Sequence, residues 1–474
     1  MDSKLDPTAE EIRQMLQLTT EKIIDFLDDI AKPVSFDIEE VRQEAYQQSE
    51  TMPEDTGDFE QILDDLFSNK IPYCLPTAMP GFMAYIPGGG LFHSALGDLI
   101  AKVTNRYVGV DFAAPFLAQI ETDVIKWFCG MVGYPETSAG TLTSGGSIAN
   151  LTAVICARTI IMGDNFSRGT VYTSEYSHHS NSKAFYAAGI PPSQVRSIGV
   201  DENFKLNCQT LEEAILDDMA QGQTPFMIVA TAGSTNTGSI DDIKTIAALA
   251  KKYNIWLHID AAYGGFFTLT ELGKKALKGI ELADSITLDP HKGLFQPYGT
   301  GAIIVKDKQN LLKTFKHSAD YLPEEKTAVD VWDFSEMSLE LTRPFRGLAI
   351  WLSLKMMGAA MFRETLEEKL DLAHYLHQQL SADPRWQIIA EPELSLTVFR
   401  YHDLQKSDDE LNKINQKIMS YINKKARTNI SGTRVDGNFV LRSCILSHRT
   451  RRLHLDWFIE DLQEAAVKVN ESQN

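Results

Sequence analysis

From Thr8 to Ile30 the apolar positions fall at Ile12, Met15, Leu16, Ile23, Leu27 and Ile30, with Thr19 between them, three or four residues apart where they cluster. This spacing predicts an amphipathic helix with a single stripe, opened by a capping box between Thr8 and Glu11. No second stripe nearby in the chain covers it. "AKPVS" follows, then a second helical pattern near Phe59 to Phe67, then "IPYCLPTAMPGFMAYIPGGG", too rich in proline and glycine for regular structure. Residues 1–90 therefore read as a helical extension that packs on something other than itself, and a second subunit fits that need.

Further along, the period changes. "FMIVATAG", "IWLHIDAA", "SITLDP" and "GAIIVK" are short, β-branched and nearly continuous in apolar character, and helical stretches such as "DDIKTIAALAKKYN" separate them. Runs of this kind belong to strands covered on both faces, so residues 91–345 predict an α/β domain with a largely parallel sheet. Past Arg346 come a long helical pattern, "WQIIAEPELSLTVFRY", another helix, "FVLRSCIL" and a last helix, which predict a smaller α+β domain over 346–474. Ligands gather at the carboxyl ends of parallel strands, so the residues after each strand are the candidates for chemistry.

Composition narrows the classes. The 474 residues, 43% hydrophobic and 23% charged, describe a soluble globular protein of two or more domains. A net charge of −19, spread along the chain, argues against nucleic acid or an anionic membrane as partner. The cysteines Cys74, Cys129, Cys156, Cys208 and Cys444 are odd in number and widely spaced, which suggests neither a disulfide framework nor a metal site and fits a reducing cytoplasm. "MDSKLDPTAEEIRQ" lacks the apolar core of a signal peptide, and no apolar run reaches the roughly 20 residues of a membrane span.

Four strand ends carry suggestive residues. "TLTSGGSIANLTAVICAR" is a Ser-Gly-Gly-Ser turn opening into a helix, where backbone N–H groups and the helix dipole hold an anion, although an ordinary capped helix reads the same way. His178 and His179 follow the strand "TVYTS". Asp260 ends the apolar run "WLHID", a place where a carboxylate needs a cation or a donor, and Ala261 and Ala262 after it leave room for a flat ligand. "LDPHKGL" puts His291 and Lys292 one strand further on; alone, it reads as a solvated lysine in an Asp-Pro turn. A phosphate cradle, a buried aspartate, a lysine and an imidazole together meet the needs of pyridoxal phosphate, whose aldehyde takes a lysine and whose ring nitrogen takes a carboxylate.

The ordered set "TSGGS", "SEYSHHS", "VATAGSTNTG", "HIDAAYGG" and "DPHKG" resembles the pyridoxal-phosphate-dependent group II amino-acid decarboxylases, the family of aromatic-amino-acid, glutamate and diaminobutyrate decarboxylases, over nearly the whole chain. The resemblance implies a type I, aspartate-aminotransferase-like fold with a mainly parallel seven-stranded sheet, pyridoxal 5'-phosphate as cofactor, and a homodimer with shared active sites. It implies Lys292 as the Schiff-base lysine, Asp260 as partner of the pyridinium nitrogen, His178 stacked on the ring, Ala262 on the opposite face and Thr235 near the ring hydroxyl. Gly146, Ser147, Asp289 and His291 match the phosphate contacts. A desolvated lysine near other cationic groups is the environment expected for attack on the aldehyde. The activity implied is decarboxylation of an L-amino acid, an aromatic one first, to the amine.

The chain also departs from the aromatic-specific pattern. Phe334 of "DVWDFSEM" stands where those relatives carry a loop tyrosine associated with protonating the carbanion, and phenylalanine donates no proton. In plant relatives that change accompanies oxidative deamination to an aldehyde, which stays open beside donation by Tyr321 or His179. Tyr85 and Pro87 of "FMAYIPGG" match the substrate-pocket segment, but Thr77 replaces a tryptophan and Val110 a pocket phenylalanine. Asp111 beside Val110 favours a basic or diamino acid if it faces the pocket and is a solvated loop residue if it does not. A diamino or acidic substrate, and a relative that binds cofactor or a partner protein without turnover, are the remaining alternatives. The irregular, acidic stretch from about Ser318 to Met337 predicts a lid over the site.

Overall fold

In the computed structural model, which describes residues 5–32, 38–316 and 332–471, the apolar runs of the middle region form a seven-stranded sheet. Its strands are β1 (Ala139–Thr143), β2 (Gly169–Ser174), β3 (Val195–Ile198), β4 (Thr224–Thr231), β5 (Trp256–Asp260), β6 (Ser285–Leu288) and β7 (Gly301–Val305). Their order is β1-β7-β6-β5-β4-β2-β3. The pairs from β3 across to β6 are parallel, whereas β7 runs antiparallel to both β1 and β6. The cause is local: the link from β6 to β7 holds only a four-residue helical turn, Pro290–Gly293, which turns the chain back along one edge instead of carrying it across a face. β1, β2, β5, β6 and β7 are buried along their whole length, as continuous apolar runs require.

A second, antiparallel sheet of β8 (Trp386–Ala390), β9 (Leu396–Tyr401), β10 (Ser431–Val435) and β11 (Asn438–Cys444) has the order β10-β11-β9-β8. Leu376, Ile414, Ile418, Phe399 and Phe458 pack together as its core. The helix Gly347–Ser381 serves both layers: Ile350 and Phe362 sit in the core of the large sheet, Leu372 and Leu376 in that of the small one. It breaks at Gly358, whose φ of 74° and ψ of 152° suit glycine alone.

At the amino terminus the Thr8–Glu11 capping box forms as expected, and the helix Ala9–Asp28 buries none of its residues. Ile12 remains 42% and Leu16 48% exposed. The helix Ile38–Gln47 was not legible from apolar spacing, since its sequence, IEEVRQEAYQ, is mostly polar. Phe59–Asp65 is helical and runs on through a wider π-helical turn, Leu66–Lys70. The proline- and glycine-rich segment that follows joins the body: Met83 is buried, its N–H donates to the Asn429 carbonyl at 2.8 Å, and its carbonyl accepts from Cys444 N–H at 2.8 Å. Among the described residues no helix is long and apolar enough to cross a membrane.

Candidate active site

Sheet register brings the chemistry to one edge. Asp260, the last residue of β5, lies opposite Thr287 of β6, and Thr143, the last of β1, lies opposite Gly301, the first of β7. A cavity of about 420 Å³ opens there, lined by Gly146, Ser147, His178, Asp260 and Lys292 among others. Thr235, Ala262, Asp289 and His291 line it as well.

The helix Gly146–Met162 starts directly behind β1, so the open N–H groups of its first turn face this edge. A side chain at Gly146 would place a Cβ 3.0 Å from Asp289 Oδ2, which is why the turn has none there. His291 Nδ1 lies 2.6 Å from the Thr300 carbonyl and donates to it. Asp289 Oδ1 and Thr231 Oγ1, both buried, have no hydrogen-bond partner among the described residues.

Lys292 rises from the turn Pro290–Gly293, its Nζ 2.9 Å from Asp289 Oδ2. Burial favours the neutral amine, but Asp289 and then Asp260 outweigh it and hold the lysine above its ordinary pKa. The expectation of neighbouring cations is therefore corrected: carboxylates surround this lysine and keep it an ammonium. Asp289, matched in the sequence to the phosphate, forms an ion pair with the lysine.

Asp260 Oδ2 accepts hydrogen bonds from Asn150 Nδ2 and Asn181 Nδ2, each at 2.9 Å. Among the described residues Oδ1 accepts only the long, 3.3 Å contact from Ala262 N–H. Burial alone would raise this carboxyl; His258, Lys292 and the two amides together keep it below the usual carboxylate range. His178 caps the helix His179–Ala187 by accepting from Ser180 N–H at Nδ1. Burial, chiefly, keeps its pKa below that of a free histidine. Asn150, Asn181 and His258 were missed in the sequence; for Asn150 and His258 the signal was a polar residue inside a largely apolar element, and Asn181, in the polar helix His179–Ala187, gave none.

Not every candidate arrives. Tyr85 is 60% exposed with a left-handed φ of 56°, Pro87 and Val110 are buried elsewhere, and none of these, nor Asp111, lines the cavity. Phe334 does not line the cavity either: it sits in the large core, fully buried, with the Arg343 guanidinium 4.9 Å from its ring centre. An apolar ring is most stable in a dry core beneath a cation, so this residue is no part of an exposed lid. Asp111 N–H donates to Asp333 Oδ1 at 2.6 Å and Ser335 N–H to the Gly109 carbonyl at 2.9 Å, so the two turns brace each other. Tyr321 and residues 318–331 of the expected lid lie outside the described residues; His179 is exposed beside His178, ring centres 4.2 Å apart. Phe334→Tyr should leave the ratio of amine to aldehyde products unchanged and lower stability by roughly 1–3 kcal/mol, since the new hydroxyl is buried. Product analysis beside urea unfolding checks this, and a changed ratio would return Phe334 to the reaction.

An anion-binding helix end, an amine, an ionised carboxylate and an imidazole around one cavity suit a phosphorylated aldehyde with a basic ring nitrogen. Comparison with known proteins agrees. The family model "Pyridoxal-dependent decarboxylase conserved domain" matches residues 42–402. An aromatic-L-amino-acid decarboxylase of Bacillus atrophaeus is 33% identical over 95% of this chain and 94% of its own. Among solved structures, a Catharanthus roseus tryptophan decarboxylase in complex with L-tryptophan superposes with a TM-score of 0.90 at 25% identity, covering 98% of this chain and 99% of that one. A Rhodiola rosea 4-hydroxyphenylacetaldehyde synthase shares the fold with a TM-score of 0.90 at 22% identity, over 98% of this chain and 99% of that one.

Proposed function

We propose, from the premise that this chain belongs to the pyridoxal-dependent decarboxylase family and is a pyridoxal-phosphate-dependent amino-acid lyase, that its substrate is an aromatic L-amino acid, released as the amine and carbon dioxide. The substrate class is supported by the likeness to the Bacillus enzyme. The chemistry is supported by one observation, the meeting of Lys292, Asp260, His178 and the helix end at Gly146 on a single cavity.

When bound, pyridoxal phosphate supplies an aldehyde for the substrate's amine and a protonated ring that accepts the electron pair left by the carboxylate. In this reading Gly146 and Ser147 at the helix end, with His291, hold the phosphate. Asp260, kept ionised, holds the proton on the ring nitrogen. His178 covers one ring face, Ala262 leaves space on the other, and Thr235 serves the ring hydroxyl. Asp289 would anchor Lys292 as the ammonium, and the deprotonated amine would be the form able to react with the cofactor's aldehyde.

That last step fixes a pH dependence. Because the carboxylates raise the lysine's pKa, the free amine is the minor form at neutral pH, and its share grows about tenfold per pH unit until the raised value is passed. Cofactor capture by the apoprotein should therefore accelerate from neutral to alkaline pH, as rapid-mixing absorbance can follow. A flat or falling rate contradicts a protonated Lys292.

The amine is favoured over the aldehyde because Phe334, on which the aldehyde alternative rested, is buried away from the cavity. The active unit in this proposal is a homodimer, supported by the exposed stripe of the first helix and by the absence of the substrate-pocket candidates from the single chain's cavity. Removing residues 1–32 should then yield monomers with little activity, which sedimentation and assay would read; a fully active monomer would refute the shared site. The cytoplasm is the proposed compartment, where five unpaired thiols stay reduced. Incubation under air with a panel of L-amino acids, following carbon dioxide, amine, aldehyde and peroxide, tests the whole reading. Turnover of diamino or acidic substrates alone would overturn the substrate class, and failure to take up cofactor would overturn the activity.

A further inference from the structure

Along the cavity wall and behind it a line of side chains passes hydrogen bonds from one to the next, and the Asp260 carboxylate fixes its direction. At one end the Trp256 indole, a donor only, gives its Nε1–H to Ser285 Oγ at 2.8 Å. Ser285 Oγ is 2.9 Å from His258 Nδ1 and donates to it once the His258 hydrogen is placed on Nε2, as the Asn150 carbonyl facing that nitrogen requires. His258, pushed down to about 4 by complete burial, is neutral, and with Nδ1 accepting, its hydrogen sits on Nε2, 3.1 Å from Asn150 Oδ1.

At the other end the Asp260 carboxylate accepts only. It fixes Asn150 with Nδ2 toward Asp260 and Oδ1 toward His258 and Thr287, whose hydroxyl donates to that oxygen at 2.6 Å. The second hydrogen on Asn150 Nδ2 goes to Ser180 Oγ at 3.1 Å. Ser180 Oγ then gives its hydrogen to His178 Nδ1, 2.8 Å away. The direction set at Asp260 thus extends through Asn150 to both sides, and the Trp256 end is compatible with it.

We propose that Asn150 is a positioning residue of this site, the centre of a one-way hydrogen-bond relay from Trp256 to His178 that puts the His178 proton on Nε2 and leaves Nδ1 as acceptor. The consequence for catalysis rests on the reading of His178 and Asp260 as the cofactor's ring contacts; the relay itself does not. One carboxamide thereby orients both groups, since it has two hydrogens for Ser180 and Asp260 and an oxygen for His258 and Thr287. Aspartate at this position has the shape but no hydrogen to give, and leucine has neither. The charged and titratable groups facing His178 are Asp260, Asp289, His179 and Lys292; the second donor at Nδ1 is the Ser180 N–H, at the longer distance of 3.3 Å.

The test uses apoprotein labelled with [15N]histidine, in which two-bond nitrogen–proton correlations report the tautomer of each ring and the signal lost in His178→Gln identifies residue 178. Wild type should show the proton on Nε2 alone. In Asn150→Asp the Ser180 hydroxyl turns to the new carboxylate, which leaves Nδ1 with only the long Ser180 N–H contact, so His178 should populate the Nδ1-protonated ring and titrate at higher pH than in wild type. Pyridoxal phosphate should bind this variant roughly 10–100-fold more weakly, because Asp260 loses a donor and gains a like charge. Ser180→Ala, which removes the hydroxyl and adds no charge, should shift the ring in the same direction, and Ser180→Thr, which restores the hydroxyl, should keep the wild-type signature. Thermal unfolding confirms that each variant is folded, and Ser180→Ala decides the matter if Asn150→Asp is not. A wild-type proton on Nδ1, or variants with an unchanged ring state and unchanged cofactor affinity, would overturn the relay. A wild-type ring as expected in a protein that binds no pyridoxal phosphate would support the relay and refute the functional reading instead.

Discussion

Lys292→Ala should still fold and still bind pyridoxal phosphate weakly, while turnover falls by roughly a thousandfold or more. Folding survives because the sheet around the site is buried along its length and the lysine sits on a turn outside it. The loss of the ammonium leaves Asp289 buried without its ion-pair partner, which should destabilise the apoprotein by about 1–3 kcal/mol. Weak binding survives because the helix end at Gly146 and the Asp260 carboxylate are untouched. Borohydride should fix the cofactor to wild type and not to the variant, and carbon dioxide release measured over a single turnover gives the rate. Near-normal turnover would remove Lys292 from the chemistry.

Asp260→Asn should reduce turnover by roughly 10²–10³-fold, about 2.7–4 kcal/mol, the scale expected when a preorganised electrostatic partner is lost. The substitution is nearly isosteric, but its surroundings reverse it. Asn150 and Asn181 both present N–H groups to the Oδ2 position, so the new amide must turn its oxygen to them and its NH₂ to the cavity. A donor then faces the ring nitrogen where an anion is needed, and the nitrogen loses its proton. The absorbance of bound cofactor should shift along with the rate. A variant with wild-type rate and spectrum would mean that the ring nitrogen lies elsewhere.

The strand ends were legible because burial on both faces forces continuous β-branched runs, and a charged residue closing such a run stands out, as Asp260 and Lys292 do. The residues that set their electrostatics were not. Asn150 lies in a helix and His258 in a strand whose patterns are largely apolar, and only the packing of that helix on the sheet shows that they meet. The anionic neighbours of Lys292 come from a turn three residues back and from the next strand, separations at which spacing carries no sign of charge. The direction of β7 was hidden for a similar reason: an antiparallel strand buried on both faces has the same composition as a parallel one. Phe334 aligned with a functional position, yet its burial depends on Arg343, placed nearby only by the fold.

The antiparallel β7 has a consequence for how the protein is made. It is the only strand between β1 and β6, so until residues 301–305 have left the ribosome and slotted in, those two strands have no common neighbour. The glycine turn after β1 and the lysine turn after β6 belong to segments separated by well over a hundred residues of sequence, and the helix after the glycine turn reaches β5 and β6 on its own through Asn150. A nascent chain stalled before Gly301 should therefore hold the helix on the sheet while β1, and the rim of the cofactor site that it carries, stays unpaired. Vectorial synthesis thus delays cofactor capture until nearly the whole large domain exists.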